Sequence, residues 1–508
     1  MIDTASRRDS PWSSTLRSAI AVLRVPVWIG VCCALLTTTA DPDLWGHVRF
    51  GLDMLSTGWL PTTDPYSYTS DIPWLNHEWL SELVMGAAYR TFGSAGLVAL
   101  KMLLALATLA LFAPVFRRAS ERWRWPAAFL VVGGLGPLAL TVRPQLWTIV
   151  FVVALCRILN AAPVYRWLLP PIFALWVNLH GGWIIGAGIV VLWSALEIAG
   201  VASGRPSRWI SLGVPALCAA ATLANPYGAK AWVFMATTVR LSRPDIVEWQ
   251  PLWMQPAGAF VFWLLTLGWA ACAVHRARIV RPQAIAIVLC LAFASLRVFR
   301  LLPLFVPVSI VLLLPYVPPL TVTSEHVWPK GRTLVDLALI CVGVLVFAWP
   351  GSATCIQLQG SWQPDIATAR ALAVAHPSGR LATSFNWGEY AIWQFGPLTQ
   401  VSIDGRRETV YSEQQLQRQL AIALGENAGL EELARTLPEY VWLPTAPAER
   451  TRRWLMAHQY RIDVQTPQSF VAVRGDLPRI APVPRVTVPC FPGLQTAKAY
   501  SSQEVARQ

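Results

Sequence analysis

The chain has 508 residues, of which 55% are hydrophobic and only 14% charged, against about 25% charged in an ordinary soluble domain. This composition excludes a disordered chain, a collagen, a disulfide mini-scaffold and an ordinary cytosolic enzyme. The formal net charge of +13 does not point to nucleic acid. Its excess sits in short basic clusters between apolar runs, as in the cytoplasmic loops of membrane proteins.

A membrane-spanning helix needs about 20 mostly apolar residues. Eleven candidate spans follow in chain order: 19–40, 94–116, 126–142, 145–160, 165–179, 182–202, 209–225, 252–274, 283–297, 301–320 and 333–350. The first follows Arg7, Arg8 and Arg17. It is too long for the apolar core of a signal peptide and reads as an uncleaved helix. Every second loop is basic: Arg117, Arg118, Arg122 and Arg124, then Arg157 and Arg166, Arg205 and Arg208, Arg276, Arg278 and Arg281, and Lys330 and Arg332. These loops and the N-terminus are expected in the cytoplasm. The first opposite loop, 41–93, holds seven carboxylates against Arg49 and Arg90. With eleven spans, residues 351–508 fall outside the cytoplasm.

The expected organisation is therefore a transmembrane domain over 1–350, an α/β domain over 351–476 and a Pro-rich tail over 477–508. In the second domain, 381–404 and 460–474 read as strands, 413–436 and 447–459 as helices, and Tyr440–Leu443 as a short strand. Seven of the nine Cys lie in apolar runs and read as buried hydrophobes. Cys355 and Cys490 lie beyond the last run and can bond only if that region is extracytoplasmic.

The outward loops collect the unusual polar residues. In Asp41-Pro42-Asp43-Leu44-Trp45-Gly46-His47, Asp43 is placed to cap a helix ending at Gly58. Leu44, Val48 and Leu55 share one face of that helix, which suggests a helix lying on the membrane surface. Asp43 and His47 are four residues apart and project together. Asn76 is a candidate cap for a second helix that carries Glu78 and Glu82 on one face and follows His77. Four Trp (Trp45, Trp59, Trp74, Trp79) crowd the same loop, either as sugar-stacking faces or as an interfacial belt. Arg143, Asn178 and His180, Asn225, Glu248, and Arg297 with Arg300 all fall at the same membrane face. Each has a plain structural reading as a Pro turn, a Gly contact or a snorkelling Arg. Together they suggest a cavity opening outward.

Acids and arginines at a lipid interface suit transfer of a sugar from a polyprenyl-phosphate donor. Arg holds phosphate through its fork, and a carboxylate acts as base or metal ligand. Asp41 and Asp43 are the candidate catalytic acids, with His77 and Glu78 assisting. Arg143, His180, Asn225, Glu248, Arg297, Arg300, Trp45 and Trp387 are the candidate substrate-binding residues. A divalent cation such as Mg or Mn has Asp43 and His47 as possible ligands, although no tight metal motif occurs.

The motifs DPDLWGHVRFG, PTTDPYSYT, PWLNHEWLSE, TVRPQ, WVNLHGG, NPYG, IVEWQP and RVFRLLPLF, with NWGEYAIWQFGPLTQVSIDGRRETVY in the tail, resemble a family of bacterial polytopic GT-C-like membrane glycosyltransferases. The resemblance implies an all-α polytopic membrane domain of about 11 transmembrane helices with a small extracytoplasmic α/β C-terminal domain. It also implies a polyprenyl-phosphate sugar donor, an envelope glycan, lipid or protein acceptor, and essential acids soon after the first helix, where Asp41 and Asp43 stand. Oligosaccharyltransferases of this class carry a WWDYG motif in a soluble C-terminal domain. The segment Asn386–Tyr390 resembles it loosely, with the order scrambled and Glu in place of Asp, so peptide recognition is not carried over. Asp404-Gly405-Arg406 reads as a turn that could equally touch substrate. The alternative functions are a transporter or flippase for a lipid-linked glycan, or a non-catalytic assembly protein. Transporters place their polar site near the bilayer midplane, which the clustering at one surface does not favour.

Overall fold

The computed structural model describes residues 22–201, 208–241, 243–277, 279–317, 354–360, 362–483 and 490–493. The last expected span, 333–350, and most of the tail lie outside the described residues. The chain divides into two compact units. One comprises Met1–Thr38 and Ala99–Ala353, the other Thr39–Val98 and Thr354–Gln508. The described residues are mostly helical, with a small mixed sheet near the C-terminus.

In the first unit an apolar helix occupies each of the first ten expected spans. Among the described residues three stretches are long and apolar enough to cross a membrane: Ser94–Arg118, Ala257–Arg276 and Phe299–Tyr316. The Lys230–Thr238 helix was not anticipated. It has only nine residues, too few to read as a span. Two charged groups buried in this unit are satisfied internally. Lys101 donates from Nζ to the carbonyls of Ala34 and Thr37, at 2.8 and 2.6 Å, so its ammonium closes the C-terminal end of the Arg24–Leu36 helix. Arg166 pairs with both oxygens of Glu197 at 2.7 Å, and Glu197 also accepts from Trp193 and Ser211. A buried ion pair survives only with its remaining lone pairs met in this way.

The second unit is built on a five-stranded sheet. Its strands are Gly379–Thr383 (β1), Thr399–Val401 (β2), Tyr440–Pro444 (β3), Tyr460–Gln465 (β4) and Ser469–Arg474 (β5). The spatial order is β2-β1-β3-β5-β4. β1 pairs in parallel with β2 and β3, while β5 pairs antiparallel with β3 and β4. Val441, Leu443, Phe470 and Ala472 pack with Ile422, Leu433 and Leu455 from the covering helices. The region read as strands over 381–404 proves to be strand, helix, strand, because Gly388–Phe395 coils between β1 and β2. The expected helix 413–436 is two helices, Glu413–Leu424 and Asn427–Thr436. Gly425 between them adopts φ 67°, a left-handed stop that favours glycine.

The first loop belongs to this unit. The Tyr66–Tyr68 stretch lies along the free edge of β2, with Val401 N–H donating to Tyr66 O at 2.9 Å and Tyr68 N–H to Val401 O at 3.2 Å. Asp71 accepts from the Ser412 backbone, and Leu75 N–H donates to Thr409 O. The sheet edge is thereby covered by the loop. Cys355 and Cys490 are disulfide-bonded. The tail is pinned there: Phe491 is buried, its N–H donates to Ile356 O, and the Trp45 indole donates to Pro492 O at 2.9 Å.

The Leu44–Thr57 helix ends at Gly58 as the sequence suggests, with Gly58 at φ 71°. It does not lie on a membrane surface. Leu44, Trp45, Val48, Phe50 and Met54 are buried in protein. It crosses the Trp79–Phe92 helix at backbone distance: a Cβ on Gly51 would stand 1.9 Å from Glu82 O, and one on Gly86 would stand 2.5 Å from the Gly51 carbonyl carbon. Neither position has room for a side chain.

Candidate functional site

The acids of the second unit gather at the start of the Leu44–Thr57 helix. Asp43 occupies the N-cap position, but its side chain makes no capping bond, contrary to expectation. The Asp41 carboxylate takes that part and accepts the Asp43 N–H at 2.9 Å, which leaves the Asp43 carboxyl aimed elsewhere. Asp41 is buried and Asp43 half-buried. Asn76 likewise does not sit at the helix boundary. The helix begins at Trp79, and Asn76 Oδ1 accepts the Glu78 N–H in a local turn.

Asn76 Nδ2 instead donates to Glu82 Oε2, and Glu82 Oε1 accepts from His47 Nδ1 at 3.2 Å. Burial acts to lower the His47 pKa. The hydrogen bond from Glu82 and the charges of Glu78, Glu82 and Asp43 outweigh it, and His47 is raised to about 9. His47 is therefore an imidazolium at neutral pH. His77 Nε2 lies 3.5 Å from Glu78 Oε1.

Glu389 completes the group. It is buried, its Oε2 accepts the Gly46 N–H at 3.1 Å, and its carboxyl fills a slot between two glycines. A Cβ on Gly46 would meet Glu389 Oε2 at 2.1 Å. A Cβ on Gly405 would stand 2.5 Å from Asp43 Oδ1 and 2.7 Å from Glu389 Oε1. The Asp43 and Glu389 carboxyls thus converge on one point over Gly405. Burial, then the charges of Asp43 and Asp404, push the Glu389 carboxyl well above the usual carboxylate range, against the pull of Arg406.

Arg406 faces inward. Its fork makes two bonds to Asp404 and two to Asp64, with the rings of Phe50, Tyr66 and Trp74 within 5.3 Å of its Cζ. The Asp404-Gly405-Arg406 turn is therefore a structural clamp. Trp45 lies in an aromatic cluster with Trp362, Tyr390 and Phe491. Trp387 packs on Trp442 with ring centroids 4.8 Å apart and donates to Trp362 O. Both indoles are buried, and both spend their N–H groups within the protein.

The remaining candidates belong to the first unit. Arg143 stands in the turn before the Gln145–Asn160 helix, its carbonyl accepting from Leu146. His180 Nδ1 accepts the Gly182 N–H at 3.0 Å and lies 2.7 Å from the Thr148 hydroxyl. The Gly182 bond fixes Nδ1 as an acceptor, so Nε2 carries the proton. Asn225 holds its own turn, accepting from Tyr227 N–H and donating to Thr222 and Gly228 carbonyls. Arg300 pairs with Glu248. Its Cζ and that of Arg243 lie 5.5 and 4.2 Å from the Trp249 ring centroid, while Arg297 stands 5.9 Å from that of Trp253.

A divalent cation finds no donor set here. Among the described residues no three His, Cys, Asp or Glu side chains are placed to hold one. His47, proposed beside Asp43, gives Nδ1 to Glu82 and carries positive charge.

No protein-family model matches the sequence, and no curated protein matches it either. Solved structures do match. The archaeal oligosaccharyltransferase AglB of Archaeoglobus fulgidus, in complex with an inhibitory peptide and a dolichol-phosphate, aligns over 92% of this chain and 75% of its own, with 12% identity and a TM-score of 0.51. The chain has a GT-C-like fold. ArnT from Cupriavidus metallidurans, bound to undecaprenyl phosphate, aligns over 94% of this chain and 100% of its own, with 13% identity and a TM-score of 0.49. A second structure of the Archaeoglobus fulgidus oligosaccharyltransferase, with Zn and sulfate, aligns over 83% and 68%, with 12% identity and a TM-score of 0.48.

Sequence reasoning named Glu82 only as a neighbour of Glu78 on one helix face and Glu389 only as the acid of the Asn386–Tyr390 segment, and it missed Arg243. Glu389 is the lone acid in the apolar stretch Gly388–Phe395. A charge in such a run is the available signal, since a buried acid there needs a partner.

Proposed function

We propose that the chain is a multi-pass membrane glycosyltransferase that moves a sugar from a polyprenyl-phosphate-linked donor to a glycan, lipid or protein acceptor on the extracytoplasmic side. About eleven helices cross the bacterial inner membrane, with the N-terminus cytoplasmic and the second unit outside. The observation that carries this reading is the convergence of Asp43 and Glu389 over Gly405, within a GT-C-like fold shared with AglB, whose structure contains dolichol-phosphate. Most other acids in the unit are tied up. Asp64 and Asp404 neutralise Arg406, Asp53 serves Arg49 and Tyr66, and Glu82 serves His47. Asp43 is half-buried and its carboxyl meets that of Glu389 over Gly405, which supports it as the base.

In the proposed reaction the acceptor hydroxyl loses its proton to Asp43 as its oxygen bonds to the anomeric carbon. The bond from that carbon to the phosphate oxygen breaks, and the electron pair leaves on the phosphate. Asp41 fixes the start of the helix, and His77 and Glu78 assist. In the first unit, Arg297, Arg300, Arg143 and His180 supply donors of the kind suited to a phosphate. The test is sugar transfer from a polyprenyl-phosphate donor by the purified chain in nanodiscs. Asp43→Asn is expected to abolish turnover. Full transfer after replacement of both Asp41 and Asp43 would overturn the proposal and favour a non-catalytic assembly role.

A further inference from the structure

The two carboxyls over Gly405 come from distant parts of the sequence, one from the first loop and one from the C-terminal segment, and they are unequal. Asp43 is half-buried, whereas Glu389 is enclosed. One Glu389 oxygen is committed to the Gly46 N–H, so the other, Oε1, is the one turned towards the point it shares with Asp43 Oδ1. Two carboxyls that crowd one point in a protein interior disfavour double ionisation, and the more deeply buried one holds a proton more readily. The charged groups that act on Glu389 are Asp43 at the start of the Leu44–Thr57 helix, Glu82 on the Trp79–Phe92 helix, and Asp404 and Arg406 in the turn after β2. Three of these four are acids, and Arg406 is already shared between Asp404 and Asp64. The buried partner is the one expected to stay neutral.

We propose that Asp43 and Glu389 work as one unit, in which Glu389 is a positioning residue that keeps its proton on Oε1 and directs that O–H at the Asp43 carboxylate. This deepens the proposed function and rests on it for the role of Asp43, but the protonation of Glu389 is separable from it. Glu389 loses no proton in the reaction. It holds the base in line for the acceptor hydroxyl while Asp43 takes that hydroxyl's proton. The two glycines follow from the same arrangement, because any side chain at position 46 or 405 would occupy the space of the carboxyls.

The experiment has two readouts on the full chain in nanodiscs. The first is the infrared difference between wild type and Glu389→Gln at neutral pH. A carbonyl band of a protonated carboxyl, present in wild type and absent from the variant, is expected. Carboxylate bands alone in that difference would overturn the proposal whatever the protein catalyses. The second is sugar transfer. Glu389→Ala is expected to lose on the order of a hundredfold in kcat with little change in donor KM, as for a misplaced catalytic group. Glu389→Gln should recover most of that loss, because the amide can accept from Gly46 and donate to Asp43. If Gln is as damaging as Ala, Glu389 exchanges its proton in the reaction and is not a positioning residue. If Ala is harmless, the pair does not act as a unit. If wild type transfers no sugar while the infrared band is present, the functional reading fails and the carboxyl pair stands.

Discussion

Arg406 grips Asp64 through two parallel hydrogen bonds of 2.8 and 2.9 Å, and grips Asp404 through two more of 2.9 and 2.7 Å. All three side chains are at most 5% exposed. Asp64 lies in the Pro61–Thr69 connector of the first loop, while Asp404 and Arg406 lie in the turn after β2. One guanidinium therefore ties two distant segments together and closes the turn that contains Gly405.

Breaking that clamp leaves uncompensated buried charge, at a cost of about 3–5 kcal/mol. Arg406→Ala should lower the melting temperature sharply in detergent. Arg406→Lys should rescue little, because an ammonium cannot reproduce four bonds in one plane. Wild-type melting of Arg406→Ala would mean that this arginine is available to a ligand.

The glycine slot makes a separate prediction. Gly405→Ala places a Cβ 2.5 Å from Asp43 Oδ1 and 2.7 Å from Glu389 Oε1. Something must move, at about 1–3 kcal/mol for overpacking. The displaced atoms belong to the proposed base and its positioning partner, so turnover should fall further than stability. Comparing kcat with melting temperature for Gly405→Ala checks this. Loss of stability with turnover per folded molecule intact would count against the site.

His47 gives the pH dependence. Its folded pKa is raised to about 9 from about 6.5 in an unfolded chain. Its stabilisation is therefore complete below about 6.5, declines as pH rises, and is lost through about 9. The amount is on the order of 3 kcal/mol. Wild type should lose melting temperature across that window, and His47→Gln, lower at pH 6, should be nearly flat. Parallel curves for the two proteins would show that His47 carries no such proton.

The Cys355–Cys490 bond tests orientation as well as stability. Removing it by a double Ser substitution should cost about 2–5 kcal/mol. In cells both thiols should resist alkylation until a reductant is added, and reporter fusions at Thr69 and Ser120 should read outside and inside respectively. Free thiols at 355 and 490 in untreated cells would place the second unit in a reducing compartment and reverse the proposed orientation.

The membrane helices were legible because apolar length is a local property, and each described span holds a helix near its expected place. The site was legible only in part. Asp41, Asp43 and His47 could be read from one short motif and Glu82 from the face it shares with Glu78, but their meeting with Glu389 could not, since nothing in residues 41–47 announces a carboxyl contributed by residue 389. Asp43 was misread as a cap because N-cap preference is statistical. Here Asp41 supplies the acceptor from two residues upstream. The segment 381–404 was misread because apolar runs of this length do not separate strand from helix. Residue type left Trp45 open between a sugar-stacking face and an interfacial belt, and its place among Trp362, Tyr390 and Phe491 is a contact between distant segments that no local pattern shows.

The last prediction separates the acids from the arginines. Asp43→Asn keeps size but removes basicity, so it should cut turnover while donor affinity stays near normal. Arg300→Ala should mainly weaken donor binding, by about 1.5–3 kcal/mol for a lost charged hydrogen bond, and Lys should restore only part of it. The Arg300–Glu248 pair refines this. A phosphate approaching Arg300 competes with the Glu248 carboxylate, so Glu248→Gln should tighten donor binding rather than weaken it. Titrating a polyprenyl-phosphate sugar against wild type, Arg300→Ala, Arg300→Lys and Glu248→Gln in nanodiscs, with turnover measured separately, decides the matter. If Glu248→Gln weakens binding as much as Arg300→Ala, the ion pair orients the arginine instead of competing with the donor. If neither variant changes binding, Arg300 only snorkels to the interface and the phosphate is held elsewhere.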